Sequence, residues 1–300
     1  MKIIERQKSL LDSTVKFVIE LDDNLIAEVS YIDKGDGKSI YCMPSSTGCN
    51  MGCTFCHATA FCDKVVNRPL LDHEILSMYK LASDAIGYMH STLLISYMGM
   101  GDPLSNITEV LRSMSMIKEE GMKEANFVRF AVCSMFPQKD FAEAFDKLLN
   151  YVYISLQDIK LHASIHGLGD RRRNMMPSAN PESGTLDMLD CYMDMTLRKA
   201  EIHYALIEDV NDSQKDIDDL YLEIVKYIRP ARYSQFTVKF LQYNESAAGG
   251  FKRSKDQSGI LKYAQSIMPV TCELYSPPGQ DIGASCGQFN SDLYIKYNSK

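Results

Sequence analysis

The chain is 300 residues long, 45% hydrophobic and 24% charged, with a formal net charge of -7. That length suits one large domain or two ordinary ones, and the composition lets the chain bury a substantial core. The acidic balance argues against a generic polyanion-binding surface, no uncharged apolar run is long enough for a membrane span, and residues 1–17 lack the apolar centre of a secretory signal, so the cytoplasm is the expected location.

In chain order, residues 15–43 alternate apolar and polar positions in the runs VKFVIEL, LIAEVSYI and SIYCM, with turn signals at Asp22 to Asn24 and at Asp36 and Gly37. These runs predict a small meander of strands. Strands and helices then alternate. Strands are predicted at 92–98, 127–133, 161–166, 201–207, 236–242 and 269–275, and helices near 72–85, 106–120, 138–150, 183–198, 213–229 and 257–267. In the helix at 213–229, Ile217, Leu220, Tyr221 and Ile224 recur at helical spacing, with acids on the other face. Such alternation implies an α/β fold with a parallel sheet and outer helices, and about six units make a partial or complete barrel. Chemistry in barrels sits at the C-terminal ends of the strands, where the motifs below fall. The expected division is 1–41 as an N-terminal β extension and 42–300 as the barrel.

Nine cysteines without an export signal do not make a disulfide framework. Four lie between Cys42 and Cys56, and Cys49, Cys53 and Cys56 have the spacing C-x3-C-x2-C in a loop after a strand. Thiolates are soft ligands that suit iron–sulfur or zinc sites. A complete cubane takes four thiolates, so three leave one iron open to a small molecule that can receive an electron. Zinc is the competing reading, but structural zinc takes a second ligand pair downstream. His57 is directly adjacent to Cys56, where reaching the same ion is awkward. The basic runs Arg171 to Arg173 and Lys252, Arg253 and Lys255 read equally as solvated loop charge or as a local groove. Cys62, Cys133, Cys191 and Cys272 are expected in the core, and His73, His90, His162 and His203 belong to no motif.

The three-cysteine spacing resembles the signature of the radical S-adenosylmethionine superfamily. Further segments resemble its RlmN/Cfr family of RNA adenine methylases. Tyr97 to Asn106 resembles the family's MGMGEPL-x-N, Ser164 to His166 its S-L-H, and Leu206 to Asp212 its L-I-x-x-V-N-D. Phe240 to Asn244 resembles L-I-P-x-N, and Asp281 to Gln288 resembles D-I-x-A-A-C-G-Q. The segments follow in order, and the resemblance runs from Val18 to Leu293.

The resemblance implies a radical SAM partial (β/α)6 barrel with a small N-terminal β meander. It implies a [4Fe-4S] cluster on Cys49, Cys53 and Cys56, with S-adenosyl-L-methionine on the open iron, reductively cleaved to a 5′-deoxyadenosyl radical. Gly101 and Asp102 would hold the amino group of S-adenosylmethionine, and Ser134, Ser164, Ile165, His166 and Asn244 the rest of it. Cys286 would carry a methyl group, Cys42 would release the product by forming a disulfide with Cys286, and Glu28 would take the substrate proton. The implied reaction is methylation of carbon 2 or carbon 8 of an adenine in ribosomal or transfer RNA, with a flavodoxin- or ferredoxin-type reductant. The physical logic agrees: an unactivated ring carbon is a poor nucleophile, radical addition avoids that barrier, and a covalent adduct needs a second thiol to release it.

Family members carry a further N-terminal helical domain that helps to hold RNA, whereas this sequence starts almost at the barrel. A smaller RNA, a nucleotide or a peptide therefore stands as an alternative substrate, and a non-catalytic module binding S-adenosylmethionine or RNA as a third reading. Asp102 replaces a family glutamate. Cys133 falls on a family serine, which moves that contact to Ser134.

Overall fold

The computed structural model describes residues 1–87, 90–245, 250–285 and 287–300, with the backbone only for His90. Ten strands form one sheet in strict sequence order among the described residues. The first four, β1 (Lys2–Lys8), β2 (Thr14–Glu20), β3 (Ile26–Asp33) and β4 (Lys38–Cys42), pair antiparallel. From β4 onward every pairing is parallel, through β5 (His90–Tyr97), β6 (Ala125–Ser134), β7 (Ile159–Ser164), β8 (Ala200–Leu206), β9 (Phe236–Gln242) and β10 (Thr271–Tyr275). Six strand-to-strand crossovers thus follow β4, and β10 pairs with β9 alone among the described strands, so the barrel is open.

The crossovers carry α1 (Asp72–Ile86), α2 (Ile107–Gly121), α3 (Phe141–Ser155), α4 (Gly169–Met175), α5 (Glu182–Thr196), α6 (Gln214–Tyr227) and α7 (Gln257–Ile267). α8 (Ser291–Asn298) ends the chain. Local chemistry sets several starts. Ser213 and Asp216 form a reciprocal cap on α6, and Asp256 accepts from the Gly259 N–H at the start of α7.

Period-two alternation divides the strand residues. On β8, Ile202, Tyr204 and Leu206 join the helix-facing core, while Glu201, His203 and Ala205 turn inward. On β7, Leu161 and Ala163 face the helices, while Lys160, His162 and Ser164 point into the barrel. Parallel strands covered on both faces read as apolar runs, and the polar residues interrupting them line the lumen.

The predicted strands and most predicted helices match within a few residues. The fold adds β1, α4 and α8, which lack a clean apolar period. The boundary expected between residues 41 and 42 falls inside β4, and one continuous sheet joins the N-terminal strands to the barrel. α8 closes that join. The buried Asn298 amide donates to the carbonyls of Ile26 (3.0 Å) and Thr47 (2.9 Å), and its oxygen accepts from the Ile26 N–H (2.7 Å).

Candidate active site

The segment after β4 wraps the mouth of the barrel. The Cys53 carbonyl accepts from the Cys56 N–H (3.1 Å) and from the Thr59 hydroxyl (2.7 Å). The His57 N–H donates to the Gly287 carbonyl (3.0 Å), and the Tyr243 hydroxyl donates to the Phe55 carbonyl (2.9 Å), so this loop is tied to residues near the chain's end and to the segment after β9. Cys49, Cys53 and Cys56 line an open cavity of about 1040 Å³, together with Gly101, Asp102, Ser164, His166 and Asn244.

The segment after β5 packs against Ser45 and Ser46, whose N–H groups both donate to the Met100 carbonyl. Gly101 has φ +93°, and a Cβ there would lie 2.2 Å from Ser46 Oγ. A Cβ on Gly99 would lie 2.9 Å from the Met43 backbone. Both glycines let this turn sit directly against the segment that opens the thiol loop. Asp102 is buried and accepts from the N–H groups of Leu104 (3.0 Å) and Met135 (2.9 Å) and from the Ser134 hydroxyl (2.8 Å). Burial pushes its carboxyl above the usual range, opposed by the Met135 N–H and the Ser134 hydroxyl. Ser134 therefore anchors Asp102 and does not itself line the cavity.

His166 accepts from the Ala205 N–H at Nδ1 (2.9 Å), which leaves its proton on Nε2. Burial pushes its pKa down to about 3, so the ring is a neutral donor. Its position depends on Asn211, whose amide donates to the carbonyls of His166 (2.8 Å) and Ala205 (2.7 Å). Ile165, expected in the cofactor set, has its side chain fully buried in the helix-facing core, because it alternates with Ser164 and His166.

The arginine run forms α4, and Arg172 is 1% exposed. Its guanidinium donates to the carbonyls of Asn180 (2.7 Å), Ser164 (2.9 Å) and Met135 (3.3 Å) and to Thr185 Oγ1 (3.2 Å). It thereby ties together the C-terminal ends of β6 and β7 beneath the site. Arg253 likewise holds the segment after β9, donating to the Tyr243 carbonyl (2.9 Å). The sequence leaves both runs equally open to solvated loop charge or a local groove, and neither reading anticipates a buried guanidinium.

A second cavity adjoins the first and shares Met98, Gly99, His203, Leu241 and Gly287 with it. Glu28 and Cys42 line it. Cys42 pairs with Ser30 across the β3–β4 ladder, and Glu28 lies two residues before Ser30, on the same face. Glu28 is buried, 3.6 Å from Lys16 Nζ, and accepts from the Asn290 N–H (3.3 Å). Burial raises its carboxyl, with Lys16 opposing. Cys286 lies outside the described residues, but its chain neighbours Ser285 and Gly287 both line this cavity.

Cys133, expected in the core, instead lines the first cavity, 3.7 Å from both Ser164 Oγ and His203 Nδ1. His162 and His203, which belong to no motif, are buried beside Glu201. His162 Nδ1 lies 2.8 Å from His203 Nε2, and Glu201 Oε2 lies 3.2 and 3.5 Å from those two atoms. Glu201 also pairs with Lys160 and with Lys239 (3.0 Å). Inward alternation on β7 and β8 would have grouped these residues once the register was known.

The three-thiol loop fits an iron–sulfur cluster better than a single ion. Burial and the neighbouring Cys56 push the Cys49 thiol up to about 12, and Cys53 is pushed up for the same reasons, so bare thiolates would repel without a cation among them. One zinc would draw its sulfurs to about 3.8 Å apart, given its bond length and tetrahedral shape. Among the described residues, the only three metal-binding side chains with donor atoms all within 4.8 Å are His162, Glu201 and His203, so the thiols stand wider than one ion requires. An open (β/α)6 barrel with three thiols in its first crossover loop defines a radical S-adenosylmethionine enzyme.

No protein-family model matches the chain. It is 31% identical over 297 residues to the probable dual-specificity RNA methyltransferase RlmN of Clostridium beijerinckii, covering 96% of this chain and 76% of that protein. It is 29% identical over 300 residues to the protein of the same name from Spiroplasma citri, covering 97% and 79%. Its fold is similar to that of a radical SAM methyltransferase from Sphaerobacter thermophilus, with a TM-score of 0.82 and 22% identity over 97% of this chain and 81% of that one. The chain belongs to the RlmN family of radical SAM RNA methyltransferases. Among the described residues, no helix is long and apolar enough to cross a membrane.

Proposed function

We propose that the chain methylates carbon 2 or carbon 8 of an adenine in ribosomal or transfer RNA, in the cytoplasm, with electrons from a flavodoxin- or ferredoxin-type protein. One observation carries this reading. Adjoining cavities bring Cys49, Cys53 and Cys56 together with Cys42 and Glu28, and of the two chain neighbours of Cys286, Gly287 lies on the shared wall and Ser285 on the wall of the second cavity.

When bound, the [4Fe-4S] cluster on Cys49, Cys53 and Cys56 supplies the electron that cleaves S-adenosylmethionine. The other residues position and finish the reaction. The Gly101 backbone and Asp102 hold the amino group, and Ser134 fixes Asp102. His166, as a neutral donor, and Ser164 and Asn244 bind the remainder of the molecule. The Cys286 sulfur takes a methyl group by displacement, S-adenosylhomocysteine leaves, and the thiol proton passes to solvent. The Cys286-borne carbon would give up one hydrogen atom to the radical and bond to the adenine carbon, the ring would then lose one electron, and Glu28 would take the proton from the adenine carbon, since burial makes it a stronger base than a surface carboxylate. Cys42, its thiol proton given up to solvent, attacks the Cys286 sulfur, so a sulfur–sulfur bond forms as the sulfur–carbon bond breaks, and the product carbon takes the electron pair and one proton from solvent to complete its methyl group.

The test is anaerobic reconstitution with S-adenosylmethionine, then mass spectrometry of tryptic peptides and of nuclease-digested RNA. The expected result is a methyl group on Cys286 and methyladenosine in the RNA, both lost in Cys286→Ala. A methylated Cys286 with unmodified ribosomal and transfer RNA would move the substrate to a small nucleotide or a peptide. An unmodified Cys286 beside an intact cluster that still cleaves S-adenosylmethionine would sink the methyl-carrier reading.

A further inference from the structure

The N-terminal end of the barrel strands, opposite the thiol loop, opens into a cleft of about 1430 Å³. Lys34, Lys38, Arg129, Arg198 and Lys199 stand around it, with Lys160 and Lys239 deeper inside. Among the described residues, three carboxylates are seen acting on these cations. Asp158 pairs with Arg129, Glu201 is shared by Lys160 and Lys239, and Glu273 acts on both of those lysines. Seven cations against three acids leave an excess of four positive charges in one cleft of a chain whose net charge is -7.

Several of these groups lack a full set of partners. Among the described residues, Lys38 and Lys199 form no ion pair, and Arg198 Nε is buried without a hydrogen-bond acceptor. Arg198 Nη2 reaches only the Leu156 carbonyl (3.0 Å). The crowding acts on Lys160, whose pKa falls to about 8 through burial and the adjacent cations Lys239, Lys199 and Arg129. An excess of like charge inside a cleft costs folding energy unless a counter-charge joins it.

We propose that this cleft binds clustered phosphate groups, in which several negative charges sit a few ångströms apart. Lysine ammonium groups supply point charges and the Arg198 guanidinium a planar fork, the two modes by which proteins hold phosphate oxygens. The cleft is concave, which suits a polyphosphate chain or one RNA strand better than a flat charged surface. Both sources share this chemistry: a free di- or triphosphate, or successive phosphodiesters of an RNA. The site lies away from the thiol loop and shares no lining residue with the S-adenosylmethionine cavity, although Lys34, His162 and Lys239 also line the second cavity, and it does not depend on the reaction proposed above.

The experiment is calorimetric titration of the cluster-loaded protein with pyrophosphate and with a short single-stranded RNA that has no 5′ phosphate, each at low and high salt. The comparison variant is Lys38→Gln with Lys199→Gln, both surface residues outside the S-adenosylmethionine cavity, checked for an unchanged melting midpoint and S-adenosylmethionine cleavage rate. We expect saturable binding of at least one probe that weakens with salt and falls at least tenfold in the variant. Tight pyrophosphate binding with no RNA binding assigns the cleft to free phosphates, and the reverse assigns it to the RNA backbone. Binding of neither probe, or equal affinity in wild type and variant, overturns the proposal.

Discussion

The two ends of the barrel are built from different chemistries on the same strands. At the N-terminal end the inward positions are Lys38, Arg129, Lys160 and Lys239, while at the C-terminal end they are Cys42, Cys133, Ser164 and Leu241. Between them lie the imidazoles of His162 and His203. Inward residues recur every second position, so β4, β6 and β7 step from a cation through alkyl or imidazole to thiol or hydroxyl, while β8 and β9 end on Ala205 and Leu241. The lower end carries its charge on side chains. The upper end is held mostly by backbone, through Gly99, Gly101 and the carbonyls gathered by Arg172 and Asn211. Among the described residues, no lysine or arginine lines the thiol cavity, and seven of them line the cleft at the other mouth.

Substitutions can break that comparison at each end. The largest effect is expected from Cys53→Ala, which should abolish the visible absorbance of the reconstituted cluster and all cleavage of S-adenosylmethionine, while pyrophosphate binding at the far mouth stays unchanged. Next is Arg172→Met. It leaves the carbonyls of Ser164, Met135 and Asn180 without their donor, and should cost about 3–5 kcal/mol in anaerobic denaturant unfolding. A loss below about 1 kcal/mol would show that the upper end is not pinned from beneath. Gly101→Ala forces a side chain into positive φ against Ser46 and should cost about 1–3 kcal/mol, with a weaker equilibrium affinity for S-adenosylmethionine as its sharper readout.

The smallest effect concerns the middle layer. His166 and His203 are held to about 3 in the fold, and His162 is also lowered, all first by burial. Unfolded histidines protonate near pH 6.5, so the unfolded state binds more protons below that value. The stabilisation is complete above about pH 6.5 and is lost as pH falls toward 3, by up to about 1.4 kcal/mol per pH unit for each ring. Urea unfolding at stepped pH should show this slope, and His203→Gln should reduce it by one ring's share. An unchanged slope would mean that His203 titrates normally and that the lumen is wetter than its burial indicates.

Much of this molecule was legible from its order of residues. The strand and helix alternation, the thiol spacing and the glycine turn at Gly101 are local features, written in consecutive positions and read by period and spacing. Glu28 and Cys42 were legible only as separate resemblances, and the β3–β4 register is what places them on one face. Arg172 and Asn211 were harder, because a buried arginine is defined by the carbonyls around it, and those come from distant segments. The helix α4 escaped for the same reason, since its charged sequence is stable only with Arg172 inserted into the core.

The sequence by itself therefore determined the class of fold, the three-thiol loop and the family, because each rests on a local pattern of residue types. The tertiary structure alone decided that His162, Glu201 and His203 meet, that Ile165 turns away from the cavity while Ser164 and His166 face it, and that seven cations share one mouth. The physical reason is that sheet register sets which inward residues of neighbouring strands come together, and register is fixed by packing of the outward residues against helices.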